Sequence, residues 1–392
     1  MPCIRTFAMA VAVAVLIGCG AAVFQDVVDP ACLQGSWLGD VAGVISLEAE
    51  TFESVLFHLL ADVPMTDGDW AEDFGDARFY APAVLLGLGR QTDNACLLAF
   101  GRASLDGNRR LVRDTRCRLL PFWLQLPELV MATFGLIEGY QHEANADDVA
   151  LIDSVLDRIN AALEAFDLFP DALSDSVLSL YGSTAQTAAL AALNLRYALQ
   201  IGGARGRERL AFGLRVIEAL DERAYDPVRG VYRFSGATDV LHLYPNAMMI
   251  TANCLAYEAT GSEGYLDRAA STFENIQGLR DPGRGNYRSP YSADLMGATT
   301  SDYSTLSSQL YLITALCLLY ENTGQVRYRD EAANVLHFVC THLRRDGRLV
   351  HHWIDGRPAG RDDPKYYCSG CNFHALYVMW YMSNLPSERV SG

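Results

Sequence analysis

Residues 303–343 read YSTLSSQLYLITALCLLYENTGQVRYRDEAANVLHFVCTHL and predict two helices joined by a tight polar turn. The first helix is apolar almost all round, whereas the second carries charges on one face only. A helix that is apolar all round must be enclosed, and a one-sided apolar stripe marks a helix on an outer surface. The stretch therefore predicts a hairpin of one inner and one outer helix.

The turn of this hairpin has an earlier copy in the chain. LAYEATGSEGYLDRAA at 255–270 and CLLYENTGQVRYRDEAA at 317–333 share nine residues at a spacing of sixty-three, including the glycines Gly261 and Gly324. A glycine suits the left-handed backbone position that ends a helix. A weaker copy stands at 197–211. The hairpin is therefore a repeating unit.

A second repeated element follows the outer helices. DPVRGVYR at 226–233 matches DPGRGNYR at 281–288 at six positions, and RRDGRLVHHW at 344–353 has a related form. Asp-Pro opens a turn, glycine closes it, and the residues after it suit a short strand. Each of these hairpins is therefore expected to end in a short β excursion.

Counting with these repeats predicts an all-α (α/α)6 toroid, with short β excursions between its hairpins. Inner helices are expected near 78–90, 121–139, 181–200, 243–259, 303–321 and 367–383, and outer helices near 44–61, 93–104, 147–165, 206–222, 263–278 and 326–343. One alternative stays open at residues 95–118. They also fit a β-hairpin around Asp106-Gly107, bridged by Cys96 and Cys117.

The charge and the first residues restrict partners and compartment. A formal charge of −16 argues against nucleic acid and against peripheral binding to anionic lipid, since both need basic surface. Arg5 and the apolar run 6–17 are typical of a signal peptide. Residues 16–19, LIGC, resemble the bacterial lipobox, which implies cleavage before Cys19 and lipidation of its thiol. An ordinary signal peptide or an uncleaved anchor is the alternative.

These features predict a layout and a location. We expect a lipoprotein signal peptide at 1–18, a lipidated tether at 19–43, the toroid at 44–385 and a tail at 386–392. The protein would then be a lipoprotein of the bacterial cell envelope, held to the membrane on its periplasmic or extracellular face.

The helix arrangement, and above all the turn ENTGQVRYRDEA, resembles the six-hairpin glycosidase superfamily and the related N-acylglucosamine 2-epimerase fold. The resemblance implies carbohydrate chemistry at the mouth where the inner helices begin. Epimerases of this kind carry two histidines there. This sequence offers His374 on the sixth inner helix but Asn246 where the other would stand, with His242 one turn earlier. Because asparagine cannot accept a proton at neutral pH, two-base epimerisation is disfavoured.

Glycoside hydrolysis needs two carboxyl groups on opposite sides of the scissile bond. Asp302 directly precedes an inner helix, where the helix dipole favours a carboxylate, and Asp239 has a similar place. Both also fit ordinary capping positions. Other aspartates of the mouth loops are Asp76, Asp175 and Asp294.

Aromatic residues recur at the starts of the inner helices. A ring of tyrosines around a cavity would stack on sugars and bond to their hydroxyls, whereas a repeated packing position gives the same pattern. Asn246 is expected to join them on a wet central channel. The predicted substrate-binding residues are Tyr181, Tyr244, Asn246, Tyr303 and Tyr367. Tyr80 and Trp123 occupy similar positions.

The motif Cys368-Ser-Gly-Cys371, followed by His374, admits three interpretations. A structural disulfide is preferred, a zinc site at Cys368, Cys371 and His374 comes second, and thiol redox catalysis third. Zinc needs a further ligand, for which His351 and His352 are distant candidates. No other cofactor or metal is expected.

The leading functional hypothesis is a carbohydrate-active protein of the cell envelope, a glycoside hydrolase that uses mouth carboxylates. The alternatives are a glycan-binding or scaffold toroid without catalysis, and a zinc-dependent enzyme using the Cys-His group. The proposed partners are a glycan and, through Cys19, a membrane.

Overall fold

The structure is a computed structural model that describes residues 44–62, 74–113, 122–169, 183–235, 238–288, 291–292, 297–298, 303–360 and 367–386. Within these residues the chain forms twelve α-helices and a few short strands, which confirms the predicted all-α toroid. The residues of the predicted signal peptide, lipidation site and tether, 1–43, lie outside the described residues.

Six inner helices alternate with six outer helices along the chain. The inner helices are α2 (Phe74–Gln91), α4 (Phe122–His142), α6 (Ser183–Gln200), α8 (Leu243–Thr260), α10 (Leu306–Thr323) and α12 (Ser369–Ser383). The outer helices are α1 (Ala49–Asp62), α3 (Ala95–Arg113), α5 (Ala146–Glu164), α7 (Gly203–Arg223), α9 (Glu263–Asn275) and α11 (Val326–His342).

The inner helices form a closed ring. Each packs against the next in chain order, and α12 packs against α2. Outer helices α3, α5, α7, α9 and α11 lie on the inner helix that precedes them, whereas α1 lies on α12. The first described helix therefore completes the last hairpin, as closure of a six-hairpin toroid requires.

The difference between inner and outer helices follows from their sequences. On α10, Leu306 and nearly every residue from Ser308 to Tyr320 are buried, whereas α11 buries one stripe that includes Val335, Leu336 and Val339. Gly261 and Gly324 end α8 and α10 with φ of 69° each, and their N–H groups donate to Tyr257 and Tyr320. The predicted left-handed helix ends are confirmed.

The segment after Cys96 differs from one of the two expectations. Residues Ala95–Arg113 form helix α3, so the β-hairpin alternative is wrong over this range. Asp106 binds the Arg109 guanidinium one turn later, within the helix, instead of opening a turn. Cys96 is disulfide-bonded, and Cys117 lies outside the described residues.

Short strands connect the hairpins in the second half of the ring. They are β1 (Tyr225–Asp226), β2 (Val231–Ser235), β3 (Thr238–Leu241), β4 (Tyr291–Ser292), β5 (Gly297–Ala298), β6 (Ser304–Thr305), β7 (Arg344–Arg345), β8 (Arg348–Leu349), β9 (His352–Ile354) and β10 (Arg357–Pro358). All pairs are antiparallel, in the orders β1-β2-β3, β10-β9-β6, β4-β5 and β7-β8.

The repeated Asp-Pro turns have the same hydrogen bonds in both copies. The Asp226 carboxylate accepts from the N–H groups of Val228 and Arg229, and Gly230 has a φ of 67°. The Asp281 carboxylate accepts in the same way from residues 283 and 284. The repeat seen in the sequence is thus a repeated turn that leads into each β excursion.

A buried ion pair joins two inner helices at the other end of the ring. Arg196, near the end of α6, contacts Glu138 of α4 at 2.7 Å, with 14% and 7% of their side chains exposed. Gln200 Nε2 donates to the same carboxylate oxygen at 3.1 Å.

None of the described helices is both long and apolar enough to cross a membrane.

Candidate functional site at the mouth of the toroid

Three inner helices begin with an equivalent residue at the mouth of the ring. His242, Thr305 and Cys368 cap α8, α10 and α12, and they stand sixty-three residues apart. The side chains accept hydrogen bonds from the N–H groups of Tyr244, Ser308 and Cys371 at 3.2, 3.2 and 3.1 Å respectively. Each cap satisfies a backbone donor that the first helical turn leaves open.

The side chain of Asn246, a predicted binding residue, makes hydrogen bonds within the fold instead of facing a channel. It is fully buried, and its amide group pairs with the backbone of Tyr232 in β2, accepting from N–H at 2.8 Å and donating to the carbonyl at 2.9 Å. A further bond from its Nδ2 reaches the His242 carbonyl at 2.8 Å. Asn246 therefore ties the β excursion to the start of α8.

The next two hairpins use the same device, which we call the amide clamp and define as Asn246, Gln309 and Asn372. Gln309 pairs with both backbone groups of Tyr287 at 2.9 and 2.7 Å, and Asn372 with those of Leu349 at 3.0 and 2.9 Å. The three clamp residues are again sixty-three residues apart. This spacing was the sequence signal for the amide clamp. It was missed because Asn246 was compared with the histidine that the epimerases carry at this position.

The predicted tyrosines differ in their access to the mouth. Tyr244 is half-buried, with its ring 4.8 Å from that of Tyr311. Tyr367 is also half-buried, and the Arg348 guanidinium lies 4.6 Å from its ring centre. Tyr303 is only 2% exposed. Tyr244 and Tyr367 thus keep part of their rings accessible, and Tyr181 lies outside the described residues.

His374 lies inside the ring, one turn beyond the mouth. It is fully buried, its ring stacks on Tyr80 with centres 3.8 Å apart, and Nε2 lies 3.2 Å from the Thr314 hydroxyl. Burial lowers the pKa of His374 well below its ordinary value, so the imidazole is neutral at pH 7. Tyr80 is therefore a packing partner of His374, with 1% of its surface exposed.

The remaining predicted catalytic residues are distributed as follows. His242 is 6% exposed, and its ring centre lies 5.3 Å from that of Phe234. Because its Nδ1 accepts the Tyr244 N–H, the neutral ring carries its proton on Nε2. Asp239 belongs to β3, three residues before His242, and only its backbone is described. Asp302 lies outside the described residues.

The Cys-x-x-Cys motif meets a histidine other than the predicted one. Cys368 Sγ lies 2.7 Å from Cys371 Sγ, and Cys371 Sγ lies 3.4 Å from Nδ1 of His351. The donor atoms of these three residues all fall within 4.8 Å of one another. His374 packs instead between Tyr80 and Thr314. The expected set of zinc ligands, Cys368, Cys371 and His374, thus needs correction to His351 in place of His374.

From the sequence, His351 was only a distant candidate, together with His352, because it precedes β9 and lies twenty residues before Cys371. The contact arises from strand pairing: β6 pairs with β9, and the Leu306 N–H donates to the His351 carbonyl at 2.8 Å. These bonds hold His351 beside the start of α12. The doublet His351-His352 after a repeated turn was the only local signal.

The corrected donor set fits a zinc ion poorly. Two thiolates on one tetrahedral zinc ion stand about 3.8 Å apart, since each Zn–S bond is about 2.3 Å long. The observed separation of the two sulfurs is 2.7 Å, so zinc binding requires them to move about 1.1 Å further apart.

No family model matches the sequence, and no curated protein matches it. Solved structures similar to the chain include the following three. An α-1,6-mannanase of Salegentibacter sp. HEL1_6, an inactive variant with two consecutive aspartates replaced and in complex with α-1,6-mannotetrose, has 14% identity and a TM-score of 0.61, covering 86% of this chain and 99% of that chain. A glycosyl hydrolase family 88 protein of Bacteroides vulgatus has 11% identity and a TM-score of 0.57, covering 86% and 99%.

The third is cellobiose 2-epimerase from Bacillus thermoamylovorans, with 11% identity and a TM-score of 0.54, covering 78% of this chain and 87% of that chain. At such identities, structural similarity establishes the fold and leaves the chemistry open. The chain has the (α/α)6 toroid fold of the six-hairpin glycosidases and of the epimerases related to them.

Proposed function

We propose that the protein is a carbohydrate-active enzyme whose substrate binds at the mouth of the toroid. The observation that carries the proposal is the closed ring itself, with three capped helix starts and the half-buried rings of Tyr244 and Tyr367 at one end. Aromatic faces and convergent polar groups are what a sugar site needs. The mannanase and the epimerase with this fold act on glycans, which supports the same substrate class here.

Within this class we propose glycoside hydrolysis by Asp302 and Asp239. The two residues are sixty-three apart and stand three positions before the caps of α10 and α8. These helices are neighbours in the ring, and packed helices lie about 8–10 Å apart. Paired glycosidase carboxyls are separated by about 5–10 Å. The sequence positions are therefore compatible with an acid and a base on opposite sides of one bond.

The proposed chemistry divides the work between the two carboxyl groups. One, protonated, gives its proton to the glycosidic oxygen as the bond to the sugar breaks. The other, ionised, activates a water molecule or attacks the anomeric carbon. His242, with its proton on Nε2, and the neutral His374 remain candidates for a proton-transfer role, but the burial of His374 makes it the weaker of the two.

A glycan panel with matched aspartate variants tests the proposal. Asp302→Asn and Asp239→Asn should each lower turnover about 100-fold or more, because general acid–base groups contribute at least that much. Asp267→Asn is the control, since Asp267 is exposed on the outer helix α9 and should leave turnover unchanged. Equal turnover in all four proteins would contradict the assignment of the pair.

The same panel separates catalysis from binding alone. If the wild-type protein binds a glycan and releases no product from any member of the panel, the non-catalytic glycan-binding alternative is correct. Isothermal titration with the bound glycan, for the wild type and a Tyr244→Ala variant, would then locate the site at the mouth.

We also propose that the protein is a bacterial envelope lipoprotein, anchored through Cys19. The LIGC sequence at 16–19 supports this proposal. Expression in a bacterial host with an alkyne-labelled fatty acid should label the wild type and leave Cys19→Ala unlabelled. Equal labelling of both proteins would place the lipid elsewhere, and absence of label in both would remove the anchor.

A further inference from the structure

The pair Cys368 and Cys371 at the start of α12 is not used by the proposed carbohydrate chemistry. Neither residue is disulfide-bonded in the structure, with Cys368 half-buried and Cys371 2% exposed. Their sulfurs lie 2.7 Å apart, well inside the about 3.5 Å at which heavy atoms pack without bonding. The two sulfurs are therefore already positioned for a bond between them.

The preceding hairpin shows what capping alone requires. Thr305 and Ser308 occupy the equivalent positions at the start of α10, sixty-three residues earlier, and their hydroxyls lie 2.7 Å apart. Thr305 accepts the Ser308 N–H as Cys368 accepts the Cys371 N–H. Hydroxyl side chains are thus sufficient to cap the start of an inner helix. The sulfurs add reactivity that the fold itself does not need.

Two further contacts suit the pair to thiol chemistry. The Cys371 N–H donates to Cys368 Sγ at 3.1 Å, which holds this sulfur at the start of α12 beside its partner. Nδ1 of His351 lies 3.4 Å from Cys371 Sγ, close enough to accept its proton. Cys368 is the more accessible sulfur and Cys371 the enclosed one. This is the arrangement of an attacking thiol and a resolving thiol.

We propose that Cys368 and Cys371 form a reversible dithiol–disulfide site that exchanges with an external disulfide or dithiol. A disulfide bond is about 2.05 Å long, so the sulfurs need to approach by about 0.65 Å, whereas a zinc site needs them to separate by about 1.1 Å. The smaller movement keeps the cap on α12 in place. The site does not depend on the proposed hydrolase activity.

The exchange balances in two steps with glutathione disulfide as the oxidant. Cys368 Sγ, after giving its proton to solvent, attacks one glutathione sulfur, which forms a mixed disulfide and releases the first glutathione, which takes up a proton. His351 then accepts the Cys371 proton, and the Cys371 thiolate attacks Cys368 Sγ and releases the second glutathione. The two protein sulfurs lose two electrons in total, and both glutathiones are reduced.

Differential alkylation of the full chain tests the proposal. The folded protein is equilibrated at a series of ratios of oxidised to reduced glutathione, then alkylated and digested with trypsin. Peptide 366–389 carries both cysteines, and its two alkylatable thiols should disappear together as the ratio rises. Burial raises the pKa of Cys254, Cys317 and Cys340, so these thiols serve as unreactive internal controls.

The matched variant is Cys368→Thr/Cys371→Ser, which reproduces the pair at the start of α10 and should fold with an unchanged circular dichroism spectrum. His351→Gln should slow the release of the second glutathione about tenfold or more and leave the first step unchanged. If the His351→Gln variant carries out both steps at the wild-type rates, His351 takes no part in the exchange.

Two results would overturn the proposal. One is a peptide 366–389 that keeps both thiols at every glutathione ratio. The other is stoichiometric zinc in the wild-type protein that protects both cysteines and is absent from the Thr/Ser variant, which would make the group a metal site.

Discussion

The amide clamp allows a quantitative test of how the β excursions are held. Asn246→Ala removes the partners of the N–H and carbonyl of Tyr232, a residue with no exposed surface. Each buried backbone group left without a partner costs about 1–3 kcal/mol. The free energy of unfolding should therefore fall by about 2–6 kcal/mol, which is a large share of the stability of an ordinary domain.

Guanidinium unfolding followed by circular dichroism measures this change. Asn334→Ala is the control, because Asn334 is exposed on α11 and its amide group donates to the carboxylate of Glu331, one turn earlier. Its substitution should change the free energy of unfolding by less than about 0.5 kcal/mol. If Asn246→Ala were as mild as the control, the clamp would not hold β2, and the reasoning from buried hydrogen bonds would fail.

The equivalent variants extend the test. Gln309→Ala and Asn372→Ala remove the same two backbone partners in the next two hairpins, so their costs should fall in the same range. A cost at one position alone would show that the three contacts are geometrically alike but energetically different.

Three further predictions concern the ring and its ends. Glu138→Ala breaks the buried ion pair between α4 and α6 and should lower the free energy of unfolding by about 3–5 kcal/mol. Glu164→Ala, in an exposed pair, should lower it by less than about 1 kcal/mol. Equal losses for the two variants in urea unfolding would contradict this prediction. Gly261→Ala places a Cβ at a φ of 69° and should cost about 1–2 kcal/mol, while Gly264→Ala, inside α9, should be neutral or stabilising in the same assay. Because burial lowers the pKa of His374 below 6.5, the unfolded chain takes up this proton at a higher pH than the folded protein does, so the free energy of unfolding should fall as pH drops below about 6.5. His374→Phe should reduce this pH dependence by up to about 1.4 kcal/mol per pH unit. An unchanged pH dependence in the variant would refute the prediction.

The architecture was predictable because the information that specifies it is local and repeated. The stretches around Gly261 and Gly324 share nine residues, and the inner helices α8 and α10 are apolar almost all round, so the repeating hairpin can be recognised in the sequence. The segment 95–118 was ambiguous for a local reason as well. Asp106-Gly107 is a strong turn signal, but packing of α3 against α2 and α4 keeps the chain helical through it.

The site was less predictable because its contacts join distant segments. Asn246 looked like a residue of a wet channel, and only the strand that returns to it shows that its amide group is fully engaged. His351 reaches Cys371 because β9 pairs with β6, and the sequence near these two residues does not predict that pairing. A sequence shows which residues are polar, but it does not show which backbone groups their side chains bind.

Closure of the ring by α1 has a consequence for the order of folding. Helix α1 is made some 300 residues before its packing partner α12, and Ser54 donates to the Gly347 carbonyl across a separation of 293 residues. Joining ends so far apart costs about 5 kcal/mol of chain entropy. The apolar face of α1, with Phe52, Val55 and Leu56, therefore waits uncovered until the last hairpin emerges. Pulse-labelled translation products stopped before residue 369 should be open and protease-sensitive, and the ring should form in one late step.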